Sequence, residues 1–365
     1  MLFAAIAVLI GFAAPLGVFE GVLRFFPVHE PLGTQPVTPE SPYMHFESNR
    51  DVIFSEGWHF AIVNRIHINN FGFVNDQDYD PAASTLLLAV VGDSYVEASM
   101  VPYQDTLQGR LAKVVGSRGR VYSFGASGAP LSQYLAYARF ARGRFKPSAL
   151  AVVVVGNDFD ESLLEYKRDP GFHYLKRRAD GSYGLHLIPW QPSFAHRVLR
   201  HSMLAQYLLS NVSIYTIFHR WRSQRETQFV GNTGARADSA RVEKSRLAAD
   251  YFLTVLPEEA GLPPNKIALV VDGMRPQLYD KRSLEEVSGS YFAYMREYLM
   301  SRARERGYQV VDLQPRFIER YATEGVRFEW AFNAHWNSHG HAVAAKAVED
   351  TGMLERVFGP SLAAQ

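Results

Sequence analysis

With 365 residues, of which 47% are hydrophobic and 21% are charged, the chain is long enough to bury a complete α/β core and still carry sizeable insertions. Its 38 basic and 37 acidic residues nearly cancel, so the overall charge gives no indication of a nucleic-acid partner. Since there is no cysteine, disulfides, cysteine nucleophiles and thiolate metal sites are excluded, and the redox compartment stays undecided.

The first segment, residues 1–25, opens with an apolar run that has no charged residue before Glu20. This run just reaches the roughly 17 to 25 residues that a membrane-spanning helix needs. We therefore predict a membrane anchor and an envelope-facing protein. A cleaved signal peptide is the alternative, because the sequence around Ala13-Ala14 is Ala-rich, although the basic n-region typical of such peptides is missing. No Lys or Arg precedes the run, so the orientation is not fixed.

Residues 26–83 are rich in Pro, Asn and aromatic side chains and contain no long periodic stretch. We predict an extended connector that packs on the edge of the following domain, with a turn at Asn70-Phe71-Gly72-Phe73.

The first strong strand signal is the apolar run Leu86–Val91, which leads into Gly92-Asp93-Ser94. Such a run predicts a buried parallel strand that ends in a tight turn. Ligands bind at the carboxyl ends of the strands in open α/β sheets, so Ser94 is a candidate nucleophile. The alternative is that Asp93 and Ser94 only cap a helix.

Comparable turns follow other predicted strands. Gly125-Ala126-Ser127-Gly128 follows a short strand, and Gly156-Asn157-Asp158 follows the strongest apolar run in the chain. The α/β alternation stops at residues 161–261 and resumes afterwards, so we predict one domain formed by residues 84–160 and 262–360. The insertion 161–261 is a lid or a docking subdomain; a solvated helical subdomain and a membrane-facing surface are the alternatives.

The last motif is Asn333-Ala334-His335-Trp336-Asn337, ahead of a helix. Acyl transfer needs a hydroxyl, a base and donors for the oxyanion. We assign Ser94 as the nucleophile and His335 as the general base and acid. The oxyanion would be held by the backbone N–H groups of Ser94 and Gly128 and by the side-chain amide of Asn157.

Two residues, Asp93 and Trp336, are predicted to support the site, and no metal ion is predicted there. Asp93 would cap the turn, whereas Trp336 would either pack under the base or touch the substrate. Three histidines between His335 and His341 resemble a metal-ligand pattern, but that run contains no acidic residue. We expect no metal and no cofactor.

These motifs resemble the sequence blocks of the SGNH (GDSL-like) hydrolases. The blocks occur in order as Gly92-Asp93-Ser94, Gly125 to Gly128, Gly156-Asn157-Asp158, and His335 with Gly340. The resemblance implies a flavodoxin-like three-layer α/β/α sandwich with a parallel sheet, and serine-dependent ester chemistry. The His block and the N-terminal segment resemble the membrane-anchored bacterial branch that includes alginate O-acetyltransferase proteins.

The sequence departs from that branch at Asn333, which occupies the place of a carboxylate. In serine proteases this change lowers turnover about ten-thousandfold. Glu329, Asp272 and Asp312 are candidate replacements. A smaller departure is Ser123, where many relatives have Asn.

Three functions follow from the sequence. The first is a hydrolase of O-acyl or O-acetyl esters on cell-envelope carbohydrate, and the second is a polysaccharide O-acetyltransferase. The third is a non-catalytic glycan-binding or assembly protein with a decayed site. The expected partners are an acylated small molecule or carbohydrate, the membrane, and a membrane protein that donates the acyl group.

Overall fold

The computed structural model describes residues 2–214, 237–275, 277–331 and 333–360. The strands in chain order are β1 (Arg50–Glu56), β2 (Ile62–Ile68), β3 (Leu86–Gly92), β4 (Gly119–Gly125), β5 (Ala149–Val154), β6 (His173–Arg177), β7 (Tyr183–Leu187), β8 (Ile267–Val271) and β9 (Gln309–Asp312). The helices are α1 (Leu2–Leu23), α2 (Ser94–Glu97), α3 (Leu107–Val115), α4 (Leu131–Phe145), α5 (Phe194–Leu199), α6 (Met203–Gln206), α7 (Ser239–Ala260), α8 (Lys281–Val287), α9 (Tyr291–Glu305), α10 (Leu313–Glu324), α11 (Ser338–Glu349) and α12 (Met353–Phe358).

The central sheet has five strands in the order β4-β3-β5-β8-β9, and every neighbouring pair is parallel. This is the strand order of flavodoxin-like proteins. The chain leaves β3 toward one edge of the sheet and then crosses back to β5 on the other side. The carboxyl ends of β3 and β5 therefore flank the point where the strand order reverses, which is the usual place for a ligand site in such sheets.

Both faces of the sheet are apolar because helices cover each of them. Along β3, Leu87, Ala89 and Val91 face the layer formed by α4, α7 and α9. Leu88 and Val90 face the layer formed by α3, α10, α11 and α12. The fold is thus an α/β/α sandwich around a parallel sheet, which confirms the parallel α/β fold predicted from the apolar runs.

The predicted insertion, residues 161–261, contributes to this sandwich at its C-terminal end. It begins with the antiparallel hairpin β6–β7 and ends with α7; residues 215–236 lie outside the described residues. Phe252, Leu253 and Leu256 of α7 are buried in the same core as α4 and α9. Residues 239–260 therefore form part of a helical layer, and a lid or docking subdomain stays a prediction for the segment before them.

Residues 26–83, predicted as an extended connector, contain the antiparallel hairpin β1–β2. The predicted turn is present: Gly72 N–H donates to the Asn69 carbonyl at 3.0 Å. Farther on, Asn75 Nδ2 donates to Ser123 Oγ at 2.9 Å. Ser123 is thereby tied to this segment.

The N-terminal segment forms α1, whose C-terminal end contacts α6. The Glu20 carboxylate accepts hydrogen bonds from Leu204 N at 3.0 Å and from Ser202 Oγ at 2.8 Å. Across the described part of the chain, none of the helices combines the length and the apolar character that crossing a membrane requires. The anchor over residues 1–25 stays a prediction.

Candidate active site

The nucleophile turn is the junction between β3 and α2. Asp93 is buried and caps α2, since its Oδ1 accepts a hydrogen bond from Tyr95 N at 2.9 Å. Ser94 is the first residue of this helix and lies at the carboxyl edge of the sheet. The capping alternative therefore applies to Asp93, and it leaves the Ser94 hydroxyl available for another partner.

That partner is His335. The Ser94 Oγ lies 2.6 Å from the His335 Nε2, across a sequence separation of 241 residues. The same Oγ lies 3.4 Å from the Asp93 Oδ2. Because the hydroxyl has one proton and the imidazole is much closer, Ser94 donates to His335 when Nε2 is unprotonated.

Asn333 determines which imidazole nitrogen carries the proton. Its Oδ1 lies 2.5 Å from the His335 Nδ1 and also accepts from the His335 backbone N–H at 2.9 Å. A carbonyl oxygen can only accept, so Nδ1 is the protonated nitrogen and Nε2 presents its lone pair to Ser94. Asn333 thus selects the tautomer that a triad carboxylate would select, although it carries no charge.

The orientation of the Asn333 amide is set in turn by a carboxylate. Asn333 Nδ2 donates to the Glu56 Oε2 at 2.6 Å, across 277 residues. Glu56 was absent from the sequence prediction. Nothing in its local sequence marks it, because its partner lies near the other end of the chain.

The three acids predicted as replacements have other partners. Asp272 accepts hydrogen bonds from Trp336 Nε1 at 2.9 Å and from Arg275 Nη2 at 2.7 Å. It therefore supports the His335 loop from below without contacting the imidazole.

The other two acids, Asp312 and Glu329, also have partners away from the base. Asp312 caps α10 and pairs with Arg296. Glu329 accepts a hydrogen bond from the Tyr279 hydroxyl. Neither of them contacts His335, so none of the three candidate acids takes the place of the triad carboxylate.

The loop that carries His335 is held by two groups that sequence reasoning missed. Arg275 Nη1 and the Tyr95 hydroxyl each donate to the Ala334 carbonyl at 3.0 Å. Trp336 is fully buried beneath the loop, so it packs and does not touch substrate. The position of Tyr95, directly after Ser94, was the one available signal for its role.

Electrostatics keep the base neutral. The pKa of His335 is lowered to about 4, first by burial and then by the nearby Arg275 guanidinium, while the Asp272 carboxylate opposes both effects. At neutral pH, Nε2 is therefore free to accept the Ser94 proton.

This pKa predicts an unusual pH dependence. Because a protonated His335 cannot accept a proton, the reaction is lost as the pH falls through the pKa of the folded protein. We expect Ser94 labelling by a serine-directed fluorophosphonate to stay fast well below pH 6.5. It should then be lost in the acid range as Glu56, whose pKa burial raises above the ordinary 4.5, and next His335, with a pKa of about 4, take up protons. A half-maximal rate near the ordinary histidine value of 6.5, measured while circular dichroism shows folded protein, would contradict this assignment.

The predicted oxyanion donors lie on the strands that flank β3. Gly128 follows β4 in a left-handed conformation with φ +82°, and Asn157 follows β5. Within the described ranges, the backbone N–H groups of Ser94 and Gly128 have no hydrogen-bond partner. They are therefore available to a negatively charged oxygen.

Two charged side chains connect these turns. Lys167 Nζ donates to the Gly128 carbonyl at 3.0 Å and forms an ion pair with Glu161. Glu161 Oε2 accepts from Asn157 Nδ2 at 3.1 Å, which orients this amide. One amide hydrogen of Asn157 is used in this way, and the second remains for a ligand among the partners that the structure describes.

Close packing joins the second block to the nucleophile turn. A Cβ atom at Gly125 would lie 2.8 Å from Glu97 N and 2.9 Å from the Asp93 carbonyl oxygen. Glu97 Oε2 accepts from Ser127 N at 2.8 Å and so fixes the turn before Gly128. The first and second blocks are therefore held together by backbone contact.

A pair of buried carboxyls underlies the first and third blocks. Burial raises the pKa of Asp93 and that of Asp158. The Asp93 carboxyl raises the pKa of Asp158 further, and the Glu97 carboxyl raises that of Asp93. Asp158 Oδ1 accepts from the Tyr134 hydroxyl at 2.9 Å, and its Oδ2 accepts from Val155 N at 2.8 Å. These bonds fix the turn that carries Asn157.

The other two histidines of the last motif have separate positions. His341 is buried, and its Nδ1 accepts from Leu107 N at 3.0 Å, which caps α3. His339 is exposed on α11. In the described ranges, no three His, Cys, Asp or Glu side chains are grouped so that they could hold a metal ion.

Similarity to known proteins is limited to solved structures. No family model matches the sequence, and no curated protein matches it significantly. A crystal structure of a lipolytic G-D-S-L family member from Veillonella parvula is 12% identical, covers 73% of this chain and 97% of its own, and has a TM-score of 0.36.

Two further solved structures are similar. An alpha/beta hydrolase enzyme from the metagenome of Lake Arreo, Spain, is 14% identical, covers 75% of this chain and 98% of its own, and has a TM-score of 0.41. An acetylxylan esterase from Geobacillus stearothermophilus is 11% identical, covers 77% of this chain and 98% of its own, and has a TM-score of 0.40. These scores are low, so function has to rest on the geometry of the site.

Proposed function

We propose that the protein is a serine-dependent esterase that forms an acyl intermediate on Ser94. The observation that carries this proposal is the continuous hydrogen-bonded chain from Ser94 through His335 to Asn333, with distances of 2.6 and 2.5 Å. The order of its sequence blocks, which resembles that of the SGNH hydrolases, supports the same chemistry.

In the proposed reaction, the Ser94 Oγ attacks the carbonyl carbon of an ester while its proton passes to the His335 Nε2. The carbonyl oxygen becomes negatively charged and receives hydrogen bonds from Ser94 N, Gly128 N and Asn157 Nδ2. The imidazolium then protonates the departing alkoxide as the C–O bond breaks, leaving an acyl-Ser94. A water or an alcohol, deprotonated by His335, then attacks the acyl carbon. The imidazolium so formed protonates the Ser94 Oγ as the bond between Oγ and the acyl carbon breaks, which restores the free serine.

The experiment is intact-mass analysis of the full chain after exposure to a fluorophosphonate. We expect one adduct on the wild-type protein and none on Ser94→Ala. Ser301→Ala, at an exposed serine of α9, is the matched control and keeps the adduct. If a folded wild-type protein gives no adduct, the esterase proposal fails and the non-catalytic glycan-binding alternative takes its place.

The finer proposal is that the substrate is an O-acyl group, and specifically an O-acetyl group, on cell-envelope carbohydrate. Resemblance of the His block to the alginate O-acetyltransferase branch supports it. Hydrolysis and transfer use the same residues and differ in whether water or a sugar hydroxyl accepts the acyl group. Release of acetate from an acetylated glycan would support the hydrolase, whereas labelled acetate appearing on an unacetylated glycan would support the transferase.

We also propose that the protein works beside a membrane, where a membrane protein supplies the acyl group if transfer is the reaction. Phe19 of α1, Phe25 just after it, and Phe194 and Val198 of α5 are exposed apolar side chains that support this location. In vesicle flotation, Phe25→Glu should weaken binding more than Ile318→Glu, a matched change on exposed α10. Equal flotation of both variants, or no flotation of the wild-type protein, would count against it.

A further inference from the structure

We propose that Glu56 is a positioning residue for the reaction and supplies, through the Asn333 amide, the negative charge that a Ser-His-Asp triad places directly beside its histidine. The inference rests on the proposed function, because it assigns a role within the same serine-dependent chemistry. It extends the catalytic chain to Glu56, Asn333, His335 and Ser94, in that order.

The first argument is the direction of the amide. Asn333 has one end that accepts and one end that donates, and Glu56 Oε2 holds the donating Nδ2 at 2.6 Å. The accepting Oδ1 must then face the His335 Nδ1, at 2.5 Å. If the amide were flipped, Nδ2 would face the imidazole and move its proton to Nε2, so His335 could no longer accept from Ser94.

The second argument is charge. When His335 takes the Ser94 proton, the imidazole becomes a cation near the Arg275 guanidinium, which disfavours that cation. A neutral amide compensates only weakly for this cost. A carboxylate one amide farther away attracts the imidazolium; at an effective dielectric constant of about 20, this attraction corresponds to a rate effect of about tenfold to a hundredfold.

The third argument is that both partners are held in place. Glu56 ends β1, and the β1–β2 hairpin is tied to the loop after α2 by Asn64 Nδ2, which donates to the Ser99 carbonyl at 3.0 Å. Asn333 is tied on its own side, because its carbonyl accepts from Trp330 N at 3.0 Å.

A small hydrophobic cluster joins these two sides. Ile62 of β2 is buried with Met100 and Val101, and the Trp330 ring packs against the same cluster. This packing fixes the two backbone segments relative to each other, and so holds the Glu56 and Asn333 side chains within hydrogen-bonding distance.

The test first removes the negative charge at residue 56, then adds one at residue 333, and finally combines both changes so that the charge moves from residue 56 to residue 333. In Glu56→Gln the amide of residue 56 can still accept from Asn333 Nδ2, but the charge is gone, so we expect fluorophosphonate labelling of Ser94 to slow about tenfold to a hundredfold. In Asn333→Asp two carboxylates meet at the 2.6 Å contact and share a proton, so this variant should not gain the full benefit of a direct carboxylate.

The double variant, Glu56→Gln with Asn333→Asp, should restore labelling. The Gln Nε2 can then donate to the new Asp, and that Asp accepts from His335 Nδ1–H, so the charge lies directly beside the imidazole. We expect labelling by the double variant to be faster than labelling by either single variant, a non-additivity that a merely structural role would not produce. Asp51→Asn, on the exposed side of β1, is the matched control and should label at the wild-type rate.

A second readout is independent of activity. Nitrogen-15 NMR of histidine-labelled protein reports which nitrogen of His335 is protonated. We expect the Nδ1–H tautomer in the wild-type protein and a mixture of tautomers in Glu56→Ala, with thermal unfolding measured to show that each variant is folded.

The outcomes separate this inference from the proposed function. If the wild-type protein labels at Ser94 while Glu56→Gln labels within twofold of it, the role of Glu56 is overturned and the esterase proposal stands. If the wild-type protein does not label at all, the esterase proposal fails, and the tautomer measurement alone decides whether Glu56 orients Asn333. An unchanged tautomer in Glu56→Ala would then overturn the inference.

Discussion

Replacing His335 with alanine is expected to lower the rate of ester hydrolysis by about 10⁴- to 10⁶-fold, because it removes the acceptor of the Ser94 proton. The Asp93 Oδ2, at 3.4 Å, is the next acceptor, and it is a poor substitute because Asp93 is buried and already caps α2. Hydrolysis of an activated acetate ester, followed in a continuous assay, measures the loss.

Several controls make this result specific. Added imidazole should recover part of the activity of His335→Ala, since it can enter the space left by the side chain. The double variant with Ser94→Ala should be no slower than either single variant, because the two residues act as one unit. His339→Ala, at an exposed position of the same motif, should keep wild-type activity. Retention of more than about a tenth of the activity in His335→Ala would contradict the assignment of the base.

Replacing Asn157 with alanine is expected to lower kcat by about a hundredfold to a thousandfold while KM changes little. The reason is that the side-chain amide donates to an oxygen that carries full negative charge only in the tetrahedral intermediate. Its orientation is already fixed by Glu161, which accepts from Asn157 Nδ2 at 3.1 Å, so little reorganisation is needed during reaction.

Steady-state kinetics on an acetate ester would measure the effect of Asn157→Ala. Asn265→Ala, at the amino end of β8 and thus at the opposite edge of the sheet, is the matched control and should be without effect. A rise in KM with an unchanged kcat would show that Asn157 binds the substrate and does not stabilise the oxyanion.

The parts of the fold that the sequence predicted are those with a local signal. Parallel strands buried on both faces are unbroken apolar runs, so β3, β5 and β8 are visible directly. Turns after such strands meet at one edge of the sheet. His335 follows α10 and not a strand, so it was assigned to this site because acyl transfer needs a base and because its motif resembles the His block; the structure places its Nε2 2.6 Å from the Ser94 Oγ.

The unpredicted parts depend on contacts between distant residues. Asn333 was interpreted as a missing carboxylate, because a motif shows the type of a residue but not its neighbours. The carboxylate is present one contact farther away, on a hairpin within a segment that the sequence presented as an extended connector. In the same way, α7 was assigned to the insertion because the α/β alternation stops long before it, and the sequence does not show that α7 packs in the same core as α4.

The wide separation of the interacting residues also bears on biosynthesis. The hairpin with Glu56 leaves the ribosome early, whereas the loop with Asn333 and His335 leaves it after the whole sheet has been made. Since domains fold as units while the N-terminal parts emerge first, the proposed reaction at Ser94 can begin only after the loop with His335 has docked. Maturation would then be a single late event, and translation products that stop before His335 would be inert.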